Sequence, residues 1–439
     1  MLLFLVIGLM LLPALQKHFG FFNQEPLHGD VRLAADTVLQ ADNWFDGRFA
    51  KSKEKYINDN FGFRNSFVRL KNQVYFSAFD QAFAKEVVLG KSNYLYESRY
   101  LDAYAGKDYI GDKQTDARFE KLKLIQDSLA KHGVTLVLLF APGKATYLPE
   151  YIPEMYGPHV VKTNYLEHIR AAKQFGINHI DLNGWFLKMK PTTKFPLYPQ
   201  TGTHWSTYAA YIAFDSINKY LEKKLDKKLP HFKINTVEWK KELAWSDKDI
   251  EDALNLMTDM PHYKMPYPSI IWPDSQNCFR PRVLTISDSY WGGIYDSKLA
   301  KTAYNHPEFW SYDQFVMNYG SPSKKEFACD LDLKTHVEQK DVVFIMASEA
   351  SLRFMGWDFI EEVYSMYTNG PAHYPALQAS RKKSIEICMI KTFIASDESW
   401  FDGVKRDAEA DKISVDSSLQ QHANAVYANR HSSDKPVKK

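Results

Sequence analysis

The chain has 439 residues, 45% of them hydrophobic, which is enough apolar material for one large domain or two ordinary ones with a substantial buried core. Its 55 Lys and Arg against 53 Asp and Glu leave a formal charge of +2, which excludes a broad basic face of the kind that grips nucleic acid. Cys278, Cys329 and Cys388 form no C-x-x-C pair and the 14 histidines show no H-x-H or H-x-x-x-H spacing, so neither a redox motif nor a metal site is indicated. Residues 2–15, LLFLVIGLMLLPAL, are an uncharged apolar run that reads as a signal-peptide h-region or short membrane anchor within residues 1–20. No basic n-region precedes it and no A-x-A site follows, which favours an uncleaved anchor on an exported chain; the bland alternative is a buried N-terminal helix.

Residues 21–115 form an N-terminal segment: a polar tether to about 43, a loop at Asn60 to Asn65, then a helix with Phe67, Leu70, Val74 and Phe76/Phe79 at helical spacing. VVLGKSNYLY, residues 87–96, alternates about a Gly-Lys-Ser-Asn turn and predicts a hairpin. From 116 to 372 strand and helix patterns alternate: helix 117–132, strand 134–140, a helical stretch around Leu166 to Phe175, strand 177–182, helix 206–225, strands 282–286 and 341–346, and a helix from about Phe359. Such alternation predicts an α/β fold with a mainly parallel sheet and helices on both faces. Residues 226–280, rich in Lys, Pro and Asp, read as an excursion from the sheet, and 373–439 as a polar helical tail ending in a disordered HSSDKPVKK.

Reactive groups in an open α/β sheet sit where strands end and helices begin, because free N–H groups and helix dipoles point there. In PRVLTISDSYWGG, residues 281–293, an apolar strand runs into Ser287-Asp288-Ser289 and two glycines, a turn that lifts a serine hydroxyl above the sheet edge. Backbone amides near Ser289 and Gly292 are then placed for an oxyanion hole; on the bland reading Asp288 or Ser289 only caps a helix. In QTGTHWSTYAAY, residues 200–211, Ser206 is the expected N-cap, and His204 lies just ahead of the helix. The positive dipole end there disfavours imidazolium, so a neutral His204 suits a general base, although a hydrogen-bonded structural histidine fits the same pattern. Lys144, in APGKATYLPEYIP, meets an anionic sugar, orients its loop or is simply solvated. Trp205, Tyr290 and Trp291 flank the pair as sugar-stacking residues do, and core packing explains them equally well.

Together these segments resemble the periplasmic polysaccharide O-acetyltransferases of the alginate AlgX/AlgJ type. The resemblance rests on T-x-T-H-W followed about 80 residues later by a strand and a D-S-[FY] turn, and on NDNFGFRNSFVRLKNQ, VVLGKSNYLY, LLFAPGKATYLPEYIP and VVFIMASEASLRFMGWDF, across about residues 40–365. It implies an SGNH-hydrolase-like domain with Ser289 as nucleophile, His204 as base and Asp288 beside the serine. The family's D-T-H-W carries an aspartate where this chain has Gly202, so the imidazole needs another orienting group. Asp181 and Glu349 both follow apolar strands and are the expected carboxylates; a backbone carbonyl or an unassisted dyad are the other possibilities.

The resemblance further implies an enzyme tethered to the inner membrane that moves acetyl groups onto hydroxyls of an extracellular or cell-envelope polysaccharide through acetyl-Ser289. A membrane-bound acyltransferase would supply the acetyl groups, with no cofactor and no nucleic acid. A carbohydrate acetylesterase, or a catalytically weak polysaccharide-binding scaffold made plausible by Gly202, are the rivals.

Overall fold

The computed structural model describes residues 2–29, 33–34, 36–45, 47–156, 162–273, 276–317, 319, 326–370 and 373–431. The disordered end expected in HSSDKPVKK lies, from Ser432 onward, outside the described residues. Strands β1 (Val87–Leu89) and β2 (Leu95–Glu97) pair antiparallel about a short turn at Lys91–Asn93, where Ser92 and Asn93 take positive φ. That is the hairpin the Gly-Lys-Ser-Asn turn predicts.

Among the described residues the organising element is a seven-stranded sheet. It contains β3 (Thr135–Ala141) and β4 (His179–Asp181); after an excursion bearing β5 (Lys233–Lys240) and β6 (Met265–Ile271), the sheet resumes with β7 (Val283–Ser287), β8 (Glu308–Ser311), β9 (Phe315–Met317), β10 (Glu326–Phe327) and β11 (Val342–Ser348). The order is β10-β9-β8-β7-β11-β3-β4. Neighbours from β8 to β4 are parallel, while β9 and β10 add antiparallel at one edge, so the sheet is mixed. The three edge strands β8 to β10 hold only 4, 3 and 2 residues, too few for a periodic pattern to show in the sequence.

Alternate residues of the central strands feed opposite layers. Val137 and Leu139 of β3 and Phe344 and Met346 of β11 pack with Phe214, Ile217 and Trp291 on one face. Leu136, Leu138, Val343 and Ile345 pack with Phe119, Leu122 and Phe359 on the other. Helices Thr207–Leu225 and Tyr290–Asp296 therefore cover one face, and Asp112–Lys131 and Phe359–Thr368 the other. This sandwiching explains why β3 and β11 are apolar throughout rather than alternating.

At the N-terminus, helix Leu2–Phe19 rests on the turn at 61–63, where a Cβ at Gly62 would fall 2.1 Å from the Pro13 carbonyl oxygen. Phe4 and Met10 stay largely exposed. No helix among the described residues is long and apolar enough to cross a membrane. At the other end, helices Tyr374–Ser396, Glu398–Asp411 and Val415–Arg430 share a small core of Ile387, Ile390, Ile394, Val404 and Ala423. Buried Arg381 docks the first of them onto Glu362 and Asp313.

Candidate active site

The carboxyl edge of the parallel strands gathers the chemistry. Strand β7 ends at Ser287, and the chain turns through Asp288 and Ser289 into helix Tyr290–Asp296. Asp288 is buried and fixes this turn: Oδ1 accepts from the Tyr290 N–H at 3.1 Å and Oδ2 from the Ser348 N–H at 2.8 Å, at the end of β11. It is a turn clamp rather than a group facing substrate. The Gly292 N–H, expected at an oxyanion hole, donates instead to the Ser289 carbonyl at 2.9 Å. The Ser289 N–H has no acceptor among the described residues, which leaves it available to an oxyanion.

The second arm is the loop before helix Thr207–Leu225. Ser206 caps that helix, accepting from the Ala209 N–H at 3.2 Å, which places His204 two residues ahead of the cap. His204 Nε2 stands 2.8 Å from Ser289 Oγ, and Nδ1 stands 2.7 Å from Asp249 Oδ2. The carboxylate can only accept, so Nδ1 carries the proton and Nε2 presents a lone pair to the serine hydroxyl. The other oxygen of Asp249 accepts from the Thr203 N–H at 2.8 Å.

Asp249 sits on helix Trp245–Leu254, inside the excursion. The acid expected from Asp181 or Glu349 is thus supplied from elsewhere, although both residues lie at the same sheet edge. Asp181 accepts from Tyr165 Oη at 2.9 Å and caps helix Leu182–Met189 through the Gly184 N–H. Glu349 accepts from Thr146 Oγ1 at 2.6 Å, and burial pushes its carboxyl up to about 7.

Gly202 and the excursion occupy each other's space. A Cβ at Gly202 would lie 2.6 Å from the Ser246 carbonyl oxygen and 2.7 Å from the Asp247 carbonyl carbon, so an aspartate there has no room. The two segments are stitched further by Thr201 Oγ1 to the Asp247 carbonyl at 3.3 Å and by the Glu251 N–H to the Thr201 carbonyl at 3.1 Å. No local pattern marks Asp249 among the acids of WSDKDIEDAL; the one signal was Gly202 itself, a small residue where a neighbour must approach.

Lys144 is buried at 1% exposure, neither solvated nor open to a sugar. Its Nζ donates to the carbonyls of Leu95, Gln200 and Gly202 at 2.7, 2.8 and 2.6 Å, so it orients the histidine loop. Burial pulls its pKa down to about 7, opposed by the charges of Asp249 and Glu97. Three carbonyl acceptors call for three N–H donors, which favours the ammonium. Tyr290 reinforces the loop, its hydroxyl donating to the Thr203 carbonyl at 3.0 Å.

The pKa of His204 shifts against the direction expected from the helix dipole. Burial alone lowers the imidazole pKa, but the hydrogen bond and charge of Asp249, with Glu97 and Asp288 further away, outweigh it and hold the pKa above its ordinary value. Trp205, Tyr290 and Trp291 are 1%, 0% and 1% exposed and belong to the core; no sugar reaches their faces.

Residues 87–250 match the family model described as SGNH hydrolase-like domain, acetyltransferase AlgX, a span that includes His204 and Asp249 and stops short of Ser289. The chain is 26% identical over 180 residues to the probable alginate O-acetylase AlgJ of Pseudomonas syringae pv. tomato, covering 41% of this chain and 44% of that protein. It is 26% identical over 178 residues to the AlgJ of Pseudomonas aeruginosa so described, covering 40% and 42%. The match thus spans less than half the length of these curated relatives. Among solved structures, the O-acetyltransferase domain of Pseudomonas putida AlgJ aligns at 17% identity and a TM-score of 0.40, over 67% of this chain and 99% of that one. Pseudomonas aeruginosa AlgX aligns at 14% identity and 0.43, over 68% and 71%.

Proposed function

We propose that the chain, whose residues 87–250 match the model of the SGNH hydrolase-like domain of acetyltransferase AlgX, is a serine-dependent O-acetyltransferase acting on a polysaccharide. One observation carries the reading: the unbroken relay Ser289 Oγ, His204 Nε2, His204 Nδ1, Asp249 Oδ2 with gaps of 2.8 and 2.7 Å. In the first half-reaction Ser289 Oγ attacks the donor's acetyl carbonyl while its proton passes to His204 Nε2. Collapse of the tetrahedral intermediate expels the donor's leaving group, which takes that proton and leaves acetyl-Ser289. A sugar hydroxyl then gives its proton to Nε2 and attacks the acetyl carbon, and Ser289 Oγ departs with the proton. The aligned acid removes the reason Gly202 gave for a binding-only scaffold.

Incubation with p-nitrophenyl acetate and intact-mass analysis tests this: wild type should gain one acetyl group on Ser289, and Ser289→Ala none. An unmodified wild-type serine would sink the enzymatic reading. Transfer to an added glycan, against acetate release to water, separates the transferase from the acetylesterase. The apolar run at 2–15 and the exposed Phe4 and Met10 support an extracytoplasmic chain held at the membrane; a membrane-bound acyltransferase is proposed in addition as the source of the acetyl groups. A fused periplasm-sensitive reporter checks the placement, and a cytoplasmic signal would refute it.

A further inference from the structure

The imidazole of His204 is flanked by two rings of opposite character. Tyr290, with its centroid 5.1 Å away, is fully buried. Trp245, with its centroid 5.7 Å away and its plane tilted by 37°, is 59% exposed. Single exposed aromatics are ordinary on protein surfaces. This one differs by its position, because it borders the His204 ring and opens the same helix that delivers Asp249. Strand β5, just ahead in sequence, adds Trp239, which is 46% exposed and packs on Phe195 at 5.7 Å.

We propose that Trp245 is the platform on which a pyranose ring of the acceptor stacks, directly beside acetyl-Ser289. The inference rests on the acetyltransferase reading and names the acceptor subsite of that same site. A pyranose presents a face of C–H groups to the negative face of an indole, while its hydroxyls project around the ring's edge. Stacking therefore holds the sugar without engaging the hydroxyl that must be acylated. It leaves that hydroxyl free to give its proton to His204 Nε2 as its oxygen attacks the acetyl carbon. Such positioning raises the effective concentration of the sugar hydroxyl over that of water, which is what a transferase needs and an esterase does not. The platform, the orienting acid and the gap at Gly202 then belong to one device, because the segment that fills the space over Gly202 brings both Trp245 and Asp249.

The test uses the full chain with Ser289→Ala, so that nothing turns over, titrated calorimetrically with an alginate hexasaccharide and with cellohexaose. At least one should bind. Trp245→Ala and Trp245→Leu in the same background should weaken that binding by roughly tenfold, the scale of one well-made contact. Trp245→Phe should retain it within a few-fold, since a planar ring rather than apolar bulk is required. Equal affinity in Trp245→Ala overturns the platform while leaving the acetyltransferase reading intact. Failure of both sugars to bind the parent, when wild type still forms acetyl-Ser289, overturns the platform as well. Absence of the adduct overturns the function itself.

Discussion

His204 and Asp249 are hydrogen-bonded at 2.7 Å although 45 residues separate them in the chain, and the carboxylate's second oxygen grips the Thr203 N–H beside the histidine. The acid thus orients the ring and pins the loop that carries it. Bonds of this charge-assisted kind contribute roughly 1.5–3 kcal/mol each.

Ser289 and His204 act as a unit. Ser289→Ala and His204→Ala should each lower acetyl transfer by roughly a thousandfold or more, and the double variant should be no worse than either. Additive losses in transfer kinetics would mean the two side chains do not share a proton.

Asp249→Asn should lower kcat/KM by roughly a thousandfold or more, because the amide disturbs the tautomer that presents a lone pair to serine. The pH profile gives an independent readout. A protonated imidazole cannot accept the serine proton, so the rate climbs with pH through the His204 pKa, which Asp249 helps to raise. Without the carboxylate that midpoint should move to lower pH. Asp181→Asn should stay within a few-fold of wild type, because its carboxylate serves Tyr165 and a helix cap.

Gly202→Asp should be harmful. Its side chain meets the backbone of Ser246 and Asp247, and overpacking of this kind costs about 1–3 kcal/mol. Displacing that turn also moves Asp249. Melting temperature and activity should fall together; a gain in rate would show that the excursion does not supply the acid.

Lys144→Met should lower both melting temperature and kcat, because the carbonyls of Leu95, Gln200 and Gly202 lose its ammonium, Gln200's keeping the Leu95 N–H, and each unmet group costs about 1–3 kcal/mol. A variant with unchanged kcat would separate this lysine from the histidine loop.

Glu349 gives a stability signature with a definite sign. Burial raises its folded pKa from 4.5 to about 7, so between those values the folded state binds more protons than the unfolded one. Stability is therefore lost as pH rises through that window and is level above it. Glu349→Gln removes the loss, so thermal melts should show the variant gaining on wild type from pH 4.5 to pH 8. A constant difference would mean that the carboxyl is already ionised at pH 4.5.

The parts of this protein that depend on neighbouring residues were legible in its sequence. The uninterrupted apolar runs of β3 and β11 declare strands covered on both faces, the Ser287-Asp288-Ser289 turn follows a strand that must end, and Ser206 caps the helix behind His204. Strand length, capping and turn chemistry are set within a few residues, so the serine and the histidine could be placed at one sheet edge without coordinates. Which carboxylate meets the imidazole is decided by tertiary packing alone. Asp181 and Glu349 reach that edge and are consumed by Tyr165, Gly184 and Thr146, whereas Asp249 arrives from a segment whose sequence says only that it leaves the sheet. The aromatics divide for the same reason. Trp205, Tyr290 and Trp291 adjoin the reacting residues in sequence yet are buried, while Trp245 is distant in sequence and open beside His204. Burial and hydrogen-bond partnership are properties of surfaces brought together by the whole fold, and a residue's chemical type does not specify them.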